Sequence, residues 1–160
     1  MAAASPPSTF KLAVHTEARE VPVLALVLAK PGKTGPQLTP HPSDAPCQTN
    51  DLPLVCNSIL GLPPSVPGRS RLAGRNVTLA SMADMFSQRT DPGRPMIDAS
   101  GLPGKFDFAI EFVPQEKAES DSDGRQFEQA LRDQPGLKTE SRRSPMEIMI
   151  IDHIERPSAN

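Results

Sequence analysis

Nine prolines fall between Pro31 and Pro67, and no other feature of the chain limits its fold so strongly. Proline offers no backbone N–H and holds its own φ, so a stretch broken this often cannot run as a helix interior or a central strand. Glycines and serines fill much of the remainder, and Leu52-Pro-Leu-Val-Cys56 is the one apolar exception. Residues 31–74 therefore read as a proline-rich loop or linker. The whole chain has 160 residues, 37% hydrophobic, with 6 Phe, 6 Met, 19 Pro and neither Trp nor Tyr. That is material for one thin core, with a folded part well short of the full length.

Before the proline-rich stretch, residues 1–9 read as a disordered N-terminus. Phe10 to Thr16 alternates as a strand, Glu17-Ala-Arg-Glu20 reads as a turn, and Val21 to Ala29 is a second apolar run, so a β-hairpin is expected over 10–30. Pro22 must then sit at a strand start or on an open edge.

Beyond the stretch, residues 75–157 read as an α+β domain. Thr78 is placed to cap a helix, with Leu79, Met82, Ala83 and Phe86 on one face. Pro95 to Asp98 is a short strand, and two glycines, Gly101 and Gly104, mark a turn. In the next strand Phe106, Phe108, Ile110 and Phe112 face the core, while Asp107, Ala109 and Glu111 face mostly water. Pro114 to Gly124 is an acidic, solvated loop. Phe127, Ala130 and Leu131 form a second helical stripe ending at Pro135-Gly136. Leu137 to Ser141 is a strand, Ser144-Pro145 a break, and Met146 to Ile154 a last strand, apolar on both faces and so expected to be covered. The expected fold is a small split β-α-β-β-α-β-β sheet with two helices on one face, preceded by the hairpin and the long loop.

Lys and Arg number 17 against 19 Asp and Glu, a net charge of -2, which argues against capture of a polyanion over the whole surface. Arg69, Arg71, Arg75, Arg89 and Arg94 cluster in sequence, but only Phe86 is there to stack on a base, so no nucleic-acid partner is expected. Cys47 and Cys56 lie nine apart, and a disulfide clip and two free thiols both remain open. Zinc would need two further ligands, with His41 the nearby candidate. The opening Met-Ala-Ala-Ala-Ser-Pro-Pro has no signal-peptide pattern, and Val21 to Ala29 is too short to span a membrane, so no transmembrane segment is expected. A strand starting as early as Phe10 points to an upstream region missing from this chain.

No nucleophile elbow, dinucleotide fingerprint or phosphate loop is present, so neither catalytic residues nor a cofactor are expected. The best polar candidates are His15 with Glu17, and His153 with Asp152 and Glu155. Residues two apart on a strand share a face, so His15 with Glu17, and His153 with Glu155, would form a metal or acid–base cluster if the strands were neighbours. The plainer reading is local hydrogen bonding and solvated carboxylates. Asp98 and Asp107 flank the glycine turn and are expected to accept backbone N–H groups there.

Several strings resemble blocks of an uncharacterised family expanded in soil acidobacteria. Phe10-Lys-Leu-Ala-Val-His-Thr-Glu-Ala-Arg-Glu-Val-Pro-Val with Leu26-Val-Leu-Ala-Lys30 resembles its opening block. Val77-Thr-Leu-Ala with Met82-Ala-Asp, then Gly93-Arg-Pro-Met-Ile-Asp98, Gly101-Leu-Pro-Gly and Phe106-Asp-Phe108, resembles its middle. Ala130-Leu, Gly136-Leu-Lys138 and Ile150-Ile-Asp-His-Ile-Glu-Arg-Pro-Ser-Ala-Asn160 resemble its close. Leu24 and Phe106 depart from it, standing where tyrosine is usual. The middle block is also similar, more weakly, to the short N-terminal domains of secretins and TonB-dependent receptors. These resemblances imply a periplasmic or extracellular, non-catalytic module that contacts another envelope protein, or a second copy of itself, through an exposed sheet edge. The alternative is a small metal-dependent hydrolase using a histidine/carboxylate cluster.

Overall fold

A computed structural model describes residues 11–43, 55–90, 94–114 and 123–157. Its core forms around the alternating phenylalanines. Phe106, Phe108, Ile110 and Phe112 are all buried on strand β6 (Phe106–Phe112). Helix α1 (Leu79–Thr90) starts where Thr78 Oγ1 accepts the Ser81 N–H at 3.1 Å, and it buries Leu79, Met82, Ala83 and Phe86. Helix α2 (Asp123–Asp133) buries Phe127, Ala130 and Leu131. The rings lock both helices to β6: Phe86 stands edge-on to Phe108 at 5.9 Å and to Phe127 at 5.5 Å, and Phe127 to Phe112 at 5.0 Å. Each buried ring stabilises by about 1.5–3 kcal/mol through desolvation, with a further ~1 kcal/mol for edge-to-face geometry. The described residues thus form a small α+β fold with two helices and mixed strand pairing.

Two sheets, rather than one, are present among the described residues. In the four-stranded sheet, β6 lies between β2 (Leu38–Pro40) and β4 (Ser70–Val77), and β3 (Ser58–Leu62) pairs the far side of β4. All these pairs are antiparallel, with Leu72 opposite Ile110 and Leu38 opposite Phe108. Here the expectation of a linker over 31–74 is corrected, because that stretch carries β2, β3 and most of β4. The prolines bound the strands instead of breaking them. Pro36, Pro63, Pro64 and Pro67 lie in connections, and Pro40 ends an edge strand where a missing N–H costs little.

The second sheet has the order β5-β1-β7, where β1 is Lys11–Leu28, β5 is Met96–Asp98 and β7 is Leu137–Glu155. β5 runs parallel to β1 with Leu24 opposite Met96, and Val23 to Val27 are buried throughout. The hairpin over 10–30 is also corrected: β1 is continuous through Glu17–Glu20. Those four residues include no Gly, Pro, Asn or Asp to favour a turn, and β1 finds its antiparallel neighbour in β7, at the far end of the chain. β7 is likewise continuous, and it passes Pro145 without a break. β5 and β6 lie in different sheets, so the glycine turn between them does not make a hairpin. Asp98 caps the turn as expected, accepting the Ser100 N–H at 3.0 Å. Asp107 accepts instead from Asn76, far away in sequence.

By proximity the chain forms two compact units, one of residues 1–22 and 143–160, the other of residues 23–142. The second contains the core described above. The first is built on the outer halves of β1 and β7, and no helix among the described residues is long and apolar enough to cross a membrane.

Candidate functional site

The outer halves of β1 and β7 form a two-stranded ribbon. Its strands run antiparallel, since Lys11 lies 3.9 Å from Glu155 while the Arg143 side chain donates to the Glu20 carbonyl at 3.1 Å. Every residue from Lys11 to Glu20 is exposed, and from Ser144 to Ile150 half-buried and exposed residues alternate. Met146, Ile148 and Ile150 take one face, half-buried. Met149 and Ile151 take the other, 65% and 60% exposed, and Leu12 and Val14 on β1 are 53% and 42% exposed. The last strand is therefore uncovered, against the expectation from its two apolar faces. Among the described residues no strand pairs with the outer edge of β7, and β1 gains β5 only at Leu24, beyond the ribbon. Two strands alone are marginal in water, and unpaired edges with apolar flanks invite a further strand.

Across one face the ribbon is clasped by a histidine. His15 Nδ1 lies 2.6 Å from Asp152 and Nε2 lies 2.8 Å from Glu17, whose other oxygen accepts from Arg19 Nε at 3.0 Å. Both ring nitrogens can donate only in the imidazolium, so two carboxylates favour the charged form. The His15 pKa is accordingly raised, first by Asp152 and then by Glu17, and that of Glu17 is lowered, first by His15 and then by Arg19. Glu17 and His15 share a face by their two-residue spacing, as the sequence indicated.

The second histidine goes elsewhere. His153 Nε2 lies 3.0 Å from Glu155, and its strand neighbour Asp152 points to the opposite face to meet His15. The structure thus unites His15, Glu17 and Asp152, and separately His153 with Glu155, but it does not bring His15 and His153 to one point. No three of His, Cys, Asp and Glu among the described residues are arranged to hold a metal ion.

One pair escaped the sequence reading. The side chain of His41, only 5% exposed, has Nδ1 2.7 Å from Asp107, which also accepts the Asn76 N–H at 2.9 Å. Asn76 takes φ 54°, and the carboxylate bonds the backbone at that unusual position. The sequence offered Asp107 as an acceptor at the glycine turn and His41 as a candidate zinc ligand, and nothing local tied the two together. Cys56 is disulfide-bonded, and the chain's other cysteine, Cys47, lies outside the described residues. Of the expected acidic loop, residues 115–122 also lie outside them.

A family model described as a protein of unknown function (DUF3738) matches residues 8–154. No curated protein and no solved structure matches the chain.

Proposed function

The chain belongs to that family of unknown function, and from this premise we propose that it is a non-catalytic interaction module of a bacterial envelope or secreted protein, whose ribbon receives an extended segment of a partner as an added strand. The observation that carries this reading is the ribbon itself, with outer edges unpaired among the described residues and apolar side chains exposed on both β1 and β7. An incoming strand would gain ladder hydrogen bonds from the edge and specificity from alternate side chains packing against Met149 and Ile151. Export and an envelope setting belong to the proposal, and the disulfide at Cys56 supports an oxidising compartment.

The metal-dependent hydrolase is the weaker alternative. Both nitrogens of His15 are engaged by carboxylates, so neither offers a lone pair to a metal without breaking the clasp.

The test is site-specific photo-crosslinking in the native host, with the photoreactive residue at Met149, at Ile151 or, as a control, at Asp84 on α1. A discrete adduct formed from both ribbon positions and absent from Asp84 is expected, its peptide identified as an extended segment of another envelope protein. An adduct twice the mass of the chain would replace that partner with a second copy. Equal labelling from all three positions would overturn the reading.

A further inference from the structure

Within the unit of residues 23–142 lies a cavity of about 600 Å3. Its wall carries Lys30, Lys33, Arg132 and Lys138, the hydroxyl of Thr34 and, among the described residues, a single carboxylate, Asp133. That carboxylate is already occupied, with Gln129 Nε2 at 2.9 Å from each of its oxygens. Lys138 has Glu140 at 3.5 Å, whereas Lys30, Lys33 and Arg132 form no ion pair among the described residues. A chain of net charge -2 therefore gathers uncompensated cations around one concavity.

The frame that holds these cations is backbone. The end of α2 would ordinarily present bare carbonyls, and an anion would be repelled by them. Just past that end the carbonyls are occupied: the Gln134 N–H donates back to Ala130 O, the Gly35 N–H to Pro135 O, the Gln37 N–H to Gln134 O and the Ala29 N–H to Gly136 O, each at 2.9 Å. Gly35 and Gly136 meet backbone to backbone, with no room for a Cβ on either. The Lys33 N–H closes a tight turn onto Lys30 O at 3.2 Å, which fixes the two lysines on one rim. Loop amides thus occupy the carbonyls of the turn that follows α2, and the basic side chains line the cavity beside it.

We propose that this cavity binds a small ligand through a multiply charged oxyanion, a phosphate or pyrophosphate group. A carboxylate brings one charge, a phosphate about two at neutral pH, and an Arg fork with two or three ammonium groups matches the latter. The volume falls in the range of small-molecule sites, and the basic side chains on its wall suit a hydrophilic anionic ligand. The same group occurs on soluble phosphorylated metabolites and on lipid headgroups.

Titration of the full chain with pyrophosphate, followed by amide NMR, tests the site. Saturable one-to-one shifts at Lys33, Thr34, Gly35 and Arg132 are expected, about tenfold tighter than with acetate and weakening as salt rises. Lys33→Glu and Arg132→Glu should each weaken binding about tenfold or more with the rest of the spectrum unchanged. Lys11→Glu, an equal change of net charge on the ribbon, should leave it unaffected. Retention on phosphatidic acid vesicles that pyrophosphate reverses would identify a headgroup as the source, and binding without retention a soluble metabolite. Shifts that do not saturate, or that persist undiminished in the two cavity variants, would overturn the proposal.

Discussion

His15 shows how a single side chain can tie two distant parts of a chain together under pH control. Its folded-state pKa is raised above the ordinary 6.5 by Asp152 and Glu17, so its contribution is complete below about pH 6.5 and is lost as pH rises through the raised value. Glu17, with a lowered pKa, contributes above its ordinary 4.5 and loses that contribution as pH falls through the folded value. The clasp is therefore strongest in mildly acidic solution. An NMR titration of the imidazole should place the His15 midpoint above 6.5, and Asp152→Asn should lower it; a midpoint at or below 6.5 in the unmodified chain would refute the clasp. The His15–Glu17 half of this cluster was legible, because i and i+2 share a strand face whatever the partner. The Asp152 half depends on how β1 meets β7 across more than a hundred residues, and no local pattern encodes that register.

At the level of elements, strands and helices with a clean period were readable, and those defined by punctuation were not. The phenylalanine alternation of β6 and the Thr78 cap of α1 follow from local chemistry. β1 and β7 were each divided in two, because charged residues at Glu17–Glu20 and a proline at Pro145 resemble breaks. Neither breaks the strand: a charge on an exposed ribbon needs no turn, and Pro145 is exposed on a strand with one free edge. The prolines of 31–74 misled in the opposite sense, since short strands fit between them. The connection to β2 is secured by the Gly35–Gly136 contact, where even one methyl group meets backbone. Gly35→Ala should lower stability by about 1–3 kcal/mol in urea unfolding. Gly61→Ala, whose Cβ would meet nothing closer than 3.9 Å, should change it by a few tenths at most. Equal effects at the two sites would show that the backbone contact does not constrain the loop.

For the molecule as a whole, the two compact units differ in how they are held. Residues 23–142 enclose interlocked rings and buried aliphatic side chains, whereas the described residues 11–20 of the ribbon are entirely exposed. Amide exchange in graded urea should therefore resolve two tiers, with ribbon amides opening at low free energy and little denaturant dependence, and those of Ile110 and Leu131 only on global unfolding. A single shared opening energy would make the two units one cooperative body. The division was not visible in the sequence, because one unit joins both ends of the chain and its boundaries fall inside β1 and β7. That pairing of first and last strands also sets an order of events during synthesis. At about 5–20 residues per second, β1 leaves the ribosome several seconds or more before β7 exists. Throughout that interval the run Val23 to Val27, buried in the folded protein, has no β7 to pair with, so an apolar half-strand stays open on the nascent chain until its antiparallel partner has been made.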